Sequence, residues 1–280
     1  MAIRFSISHR TEYLYPDSVS SSYNEVRMIP RQTESQRVLT FSVATTPFAP
    51  VYQYDDYFGT KVSAFDLQGS HESLVISADS IVEVERIPSS TGRLTRLELS
   101  EDDVRDRFFE YLTETPLTSI SQEIRLAAEA ITNGLDPEEA IIACVGWINE
   151  RMEFESGVTR ANTTAIEALG IGKGVCQDFS HLCLAMLRSV GIPTRYVSGY
   201  LFPLSESERG LFAEGQSHAW VEAWIGGWRG FDPANGLLEL DDRYITVGKG
   251  RDYLDVAPLL GIYTGTVSAP PKVSVAMSIL

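Results

Sequence analysis

Through the first hundred residues, apolar and polar positions alternate. Arg4–Tyr13, Gln36–Val43 and Leu74–Glu85 each carry the two-residue period of a strand with one buried face. Turn-forming residues separate these runs, at Tyr15-Pro-Asp-Ser, Phe58-Gly-Thr and Gln68-Gly-Ser. Short strands at this spacing predict an antiparallel β-sandwich over residues 1–98. Near residue 100 the period lengthens. A charged helix is expected over 101–113, with Phe108, Phe109 and Leu112 inward, and another over 121–131 on Ile124, Ala127, Ala128 and Ile131. Asp136-Pro137-Glu-Glu supplies a cap, a first-turn proline and early carboxylates, and so starts a third helix carrying Ile141, Val145, Trp147, Ile148 and Met152. Asn162–Gly170 reads as a short capped helix ending on glycine.

A central helix then runs from Val175 to Val190 and stops at Gly191-Ile-Pro193. Strands follow at Thr194–Leu201, Ser217–Ile225, Gly227–Phe231, Tyr244–Val247 and Lys272–Leu280. Between the first two lies Pro203–Gly215, polar and flexible in composition, a candidate lid. The pattern as a whole is α+β: the sandwich, then a unit over 99–280 with a central helix packed on an antiparallel sheet.

Composition narrows the partners. At 280 residues and 44% hydrophobic, the chain can build full cores. Thirty-eight acidic against 23 basic side chains give a net charge of −15, which argues against nucleic acid or an anionic membrane as a partner. There is no apolar run of about 18 residues. Met1–His9 alternates and lacks the apolar centre of a signal peptide. Three cysteines, Cys144, Cys176 and Cys183, fit free thiols in a reducing cytoplasm. His9 and His71, in or beside strands, read as structural.

The candidate chemistry centres on Cys176. It opens the central helix, where free N–H groups and the helix dipole favour an anion. Gly172 and Gly174 just before it leave backbone room for a substrate. Cys183, two turns along among Leu182, Leu184 and Met186, reads as core, as does Cys144. His218 stands at the start of a strand, and Asp232 follows fourteen positions later. A hairpin turning at Gly226-Gly227 would bring the two together, so that the carboxylate holds one ring nitrogen and the other faces sulfur. Cys, His and Asp on helix, strand and strand is the order of a thiol triad. Such a thiolate attacks an acyl carbon, the imidazolium protonates the leaving amine, and water or another amine resolves the thioester.

The Cys176 backbone N–H is the natural oxyanion donor, with Gln177 and Trp147 as side-chain candidates. Asp178 is expected to turn into the first-turn N–H groups or to pair with an arginine such as Arg195. His181 suits a partly exposed structural role. Trp220, Trp224, Trp228, Tyr200 and the 203–215 segment could wall a substrate groove, although each aromatic also suits a core. No Cys-x-x-Cys, paired-histidine or phosphate-loop spacing is present, so no metal or cofactor is expected.

Four segments carry a resemblance: Gly174-Val-Cys176-Gln-Asp-Phe-Ser-His-Leu, Gly191–Leu201, Ser217-His218-Ala-Trp-Val-Glu and Gly230-Phe-Asp232-Pro. In this order they resemble the bacterial transglutaminase-like proteins. His9-Arg-Thr-Glu-Tyr-Leu-Tyr and Arg27-Met-Ile-Pro-Arg31 resemble the β-rich domain that often precedes that core. The resemblance implies a papain-like α+β core with Cys176 as nucleophile, His218 as base and Asp232 as orienter. Phe154 departs from it, standing where relatives often have tyrosine. The expected activity is that of a cysteine peptidase or amidase on a peptide or protein amide. Acyl transfer from glutamine side chains to amines is the alternative, and a non-catalytic binding module the third reading. Oligomeric state is left open.

Overall fold

The computed structural model describes residues 2–86, 93–203, 212–265 and 270–280, with side chains omitted over 212–216. Two 24-residue strands dominate the N-terminal region: β1 (Ile3–Val26) and β4 (Lys61–Val84), paired antiparallel. β2 (Gln36–Thr46) and β3 (Tyr52–Asp55) both lie along the outer side of β4. Two of the turns expected from sequence are not turns. The chain runs through Tyr15-Pro-Asp-Ser and Gln68-Gly-Ser within β1 and β4, where the pairing register shifts between Leu14 and Ser21. The two irregular stretches face each other, joined by a hydrogen bond between the Ser18 and Ser70 hydroxyls. Gly69 takes φ +116° there, a conformation suited to glycine.

Chain length shows what this irregularity does. Thr46 pairs with Val75 and Tyr52 with Ala64, so a connection of six Cα–Cα steps spans eleven steps of β4. A straight strand would need ~36 Å there, and the connection reaches ~21 Å at most, so β4 must bend between those points. Val19, Val26, Phe65, Leu67, Leu74 and Ile76 fill the space inside.

The helical segment follows. Residues 101–113 form two short helices rather than one, α2 (Asp102–Arg107) and α3 (Phe109–Leu112), after a single-turn α1 (Arg96–Leu99). The break falls at Phe108, whose ring is buried against Trp224 at 4.7 Å, whereas Phe109 is exposed. α4 (Gln122–Thr132) and α5 (Pro137–Arg151) form as expected, α5 opening on a capping box between Asp136 and Glu139. α6 (Ala165–Ile171) is capped by Thr164 and closes on Gly172 (φ 70°), not on Gly170.

These helices surround α7 (Cys176–Ser189), in which every residue from Asp178 to Arg188 is buried. Its other face meets the sheet of β7 (Thr194–Leu201), β8 (Phe212–Trp224), β9 (Trp228–Phe231) and β10 (Tyr244–Gly250). A two-stranded parallel pair, β5 (Glu153–Phe154) with β6 (Lys173–Gly174), leads into α7. α8 (Tyr253–Val256), β11 (Leu259–Tyr263) and β12 (Lys272–Ile279) finish the chain. β12 lies between β8 and β1 and joins both regions in one sheet, ordered β10-β7-β8-β12-β1-β4-β2. The sheet therefore continues across the 98/99 position.

A charged cluster spans the β7, β8 and β10 strands beside the N-terminal region. Glu222 of β8 accepts from Arg195 of β7 (2.5 Å) and Lys249 of β10 (2.9 Å), with little of any of the three exposed. Burial would raise the Glu222 pKa, but Lys249 and Arg195 outweigh it and hold the carboxyl at about 2. Arg31, from the Arg27–Arg31 motif, approaches this cluster while its guanidinium donates to the Phe58 carbonyl and its backbone N–H to Thr246 O.

Candidate active site

Cys176 sits in the first turn of α7, half-buried, where N–H groups lack intrahelical acceptors. The approach to it is fixed by Asp178. One carboxylate oxygen accepts from the Val175 N–H (2.8 Å) and the Thr159 hydroxyl (2.7 Å). The carboxylate thus turns into the start of the helix, as one of the two expectations had it. The arginine pairing is absent because Arg195 is engaged by Glu222. Burial pushes the Asp178 carboxyl up, against the pull of those hydrogen bonds. Gly174 serves this carboxylate rather than a substrate, since a Cβ there would lie 2.6 Å from Asp178 Oδ2. Gly172 serves the end of α6.

His218 lies on β8 opposite Gly199 of β7. Its Nε2 is 2.6 Å from Asp232 Oδ2, and the Cys176 thiol is near enough to act electrostatically on the ring. Burial alone would lower the His218 pKa. The Asp232 carboxylate and the nearby Cys176 reverse this and raise it to about 9. Asp232 is fully buried, yet its partners hold its carboxyl below the usual range. The structure therefore brings Cys176, His218 and Asp232 together around one imidazole.

Asp232 does two jobs. Its Oδ1 accepts the Ala234 and Asn235 backbone N–H groups, forming the turn that Asp-Pro suggests, while Oδ2 serves the ring. Two residues at this oxygen were not found from sequence. Asn235 Nδ2 donates to Oδ2 at 2.7 Å and Tyr244 Oη at 2.7 Å. Asn235 sits in an Asp-Pro-Ala-Asn turn, which was a local cue. Tyr244 arrives from β10 with no cue nearby in sequence. Asn149 of α5 braces the turn through the Pro233 carbonyl (2.6 Å).

The other candidates divide. Trp220 is fully buried, 6.2 Å from the His218 ring and 5.3 Å from Tyr244, so it supports the imidazole rather than walling a groove. Tyr200 is not at the site. Its hydroxyl donates to Met28 O (3.0 Å) and meets His9 Nδ1 (2.9 Å), in a core shared with the N-terminal region. Gln177 gives its amide to Ala161 O (2.9 Å). Trp147 is half-buried under the Arg151 guanidinium (4.1 Å). Trp224 and Trp228 pack with Phe108 and Tyr111, and Arg195 lies 3.8 Å over Trp228. Within the 203–215 segment, residues 204–211 fall outside those described.

His181 is fully buried, not partly exposed. Its ring lies tilted against Tyr196 and accepts from the Tyr253 N–H (3.2 Å), and burial drives its pKa to about 3. His9 is also buried, with its pKa lowered to about 4 by desolvation. Cys144 and Cys183 are buried and burial raises both thiols, Cys144 to about 12. No helix among the described residues is long and apolar enough to cross a membrane.

A thiol at a helix start, a histidine on an adjacent strand and a carboxylate one strand further define a papain-like arrangement. The sequence pattern of the transglutaminase-like superfamily matches residues 124–233, and that of the bacterial transglutaminase-like N-terminal region matches 5–83. The uncharacterized protein ML0607 of Mycobacterium leprae is 42% identical over 262 residues, covering 94% of each chain. An uncharacterized protein of Mycobacterium tuberculosis, Rv2569c, is 32% identical over 310 residues, covering 97% of this chain and 91% of its own. A solved structure from Cytophaga hutchinsonii, provisionally assigned as a cysteine protease, superposes over 100% of this chain and 98% of its own, with TM-score 0.77 and 23% identity. The chain belongs to the transglutaminase-like superfamily.

Proposed function

We propose that this protein is a cysteine-dependent peptidase or amidase acting on a peptide or protein amide through Cys176, His218 and Asp232. The observation that carries the reading is the His218 ring, held by Asp232 at 2.6 Å on one nitrogen and close enough to the Cys176 thiol to feel its charge. The imidazole takes the thiol proton, and sulfur adds to the amide carbon. The Cys176 backbone N–H faces the oxyanion that forms. The imidazolium then returns its proton to the departing amine, leaving a thioester on Cys176, and water attacks that thioester with the imidazole as base. Asp232 keeps the ring in the tautomer and orientation that both transfers need. The three free cysteines support a reducing cytoplasm as its setting.

The test is a screen of fluorogenic peptide amides with and without a dansylated primary amine, followed by intact-mass detection of the acyl-enzyme. Amide cleavage with a thioester mass on Cys176, lost in Cys176→Ala and His218→Ala, is the expected result. Preferential incorporation of the amine would assign acyl transfer instead. Turnover undiminished in both variants would exclude the thiol mechanism.

A further inference from the structure

At the end of α7 remote from Cys176 lies a cavity of about 710 Å³. Fourteen helical residues put it roughly 20 Å from the thiol. Its lining holds Arg96, Arg105, Arg125 and Arg188 against a single carboxylate, Glu129. In a chain with 38 acidic and 23 basic side chains, this cavity inverts the local sign of charge.

The four guanidinium groups are not equivalent. Arg188 is buried and already donates to Thr194 O, Thr113 O, Arg251 O and the Thr118 hydroxyl, so it builds the wall. Arg96 uses Nε on Leu135 O and one Nη on Thr132 O, covering carbonyls at the end of α4 and keeping one N–H edge free. Those carbonyls would otherwise repel an anion. Arg105 on α2 and Arg125 on α4 have no hydrogen-bond or ion-pair partner among the described residues, and Glu129, one turn from Arg125, does not pair with it. Two unpaired planar forks from different helices thus border one concave, basic space.

We propose that this cavity is a binding site for a small, multiply charged anion bearing phosphate or carboxylate groups, with Arg105 and Arg125 as its principal ligands. Guanidinium forks bind both groups bidentately, and two such forks on separate helices match an anion with at least two charged groups. The volume exceeds what one inorganic phosphate fills. The free edge of Arg96 and the Asn133 amide supply the remaining donors, whereas the Ser100 and Ser189 hydroxyls already donate to Leu97 O and Met186 O.

Calorimetric titration of the full chain with pyrophosphate and with citrate, at constant ionic strength set by chloride, tests this. Saturable binding below about 1 mM by at least one anion is expected, weakened at least about tenfold in Arg105→Gln/Arg125→Gln. Pyrophosphate alone binding would identify a phosphate ligand, and citrate alone a carboxylate one. Both replaced side chains are exposed, so the variant should melt with wild type when no anion is present. Glu129→Gln should tighten binding. No saturation by either anion at about 10 mM, or equal affinity in the folded double variant, would overturn the proposal.

Discussion

The Tyr244 hydroxyl and the His218 ring converge on one carboxylate oxygen: Tyr244 Oη donates to Asp232 Oδ2 at 2.7 Å, and His218 Nε2 lies 2.6 Å from it. Tyr244 also fills the core beside Trp220, so a phenylalanine keeps the packing and removes only the hydroxyl. Tyr244→Phe should lower kcat about tenfold with KM unchanged, the signature of a group that positions the catalytic pair. Unchanged kcat would make that hydroxyl a structural bond only.

His218 links the site to stability. Its folded pKa, about 9, lies above the ordinary 6.5. A raised histidine pKa contributes stability that is complete below pH 6.5 and lost as pH rises through 9. Unfolding free energy should fall by about 3 kcal/mol across that window because of this ring. Denaturant melts of wild type and His218→Ala isolate it from other groups, including Lys249, which burial pulls to about 8. Equal pH slopes in the two proteins would move the titration elsewhere.

Glu222 is the counter-charge for both Arg195 and Lys249. Glu222→Gln leaves two largely buried cations facing each other and should cost about 3 kcal/mol in urea denaturation. Glu222→Gln/Lys249→Met should recover much of that loss. A double variant no more stable than the single one would mean that packing, not charge, governs the cluster.

Gly199 makes room for both the Ile245 carbonyl of β10 and the Trp220 ring, since a Cβ there would run into Ile245 O first and stand 2.6 Å from Trp220 Cη2. Gly199→Ala should push β10 and the indole away from β7, tilt the His218 ring and reduce iodoacetamide labelling of Cys176 at pH 7 several-fold. Labelling at the wild-type rate would free the ring from Trp220. Cys144 and Cys183 should stay unlabelled in the folded protein, being buried with raised thiols.

The site was legible from sequence wherever it depended on short-range order. Cys176 followed from a helix start, and His218 and Asp232 from a hairpin with a glycine turn. Tyr244 was not legible, because what joins it to Asp232 is the lateral pairing of β10 with β7. Local chemistry misled at Tyr15-Pro-Asp-Ser and Gln68-Gly-Ser, where turn residues bend a long strand pair instead of ending it. Tyr200 and Trp220 lie on strands that do form, but the sheet faces they occupy depend on partners far along the chain. His181 shows the same limit: helical periodicity alone does not report that α7 is enclosed on all sides.

The placement of β12 has a practical consequence. Phe5 pairs with Ile279 on one side of it, and Val275 pairs with Gly215 on the other. Deleting residues 272–280 would strip hydrogen bonds from two neighbours at once and leave two unprotected edges open to intermolecular pairing. A fragment starting after residue 98 would keep β12 without β1. Cutting this chain into a thiol-bearing piece and a dispensable leader is therefore a route to aggregates, and engineered truncations should begin by leaving that strand's two flanks intact.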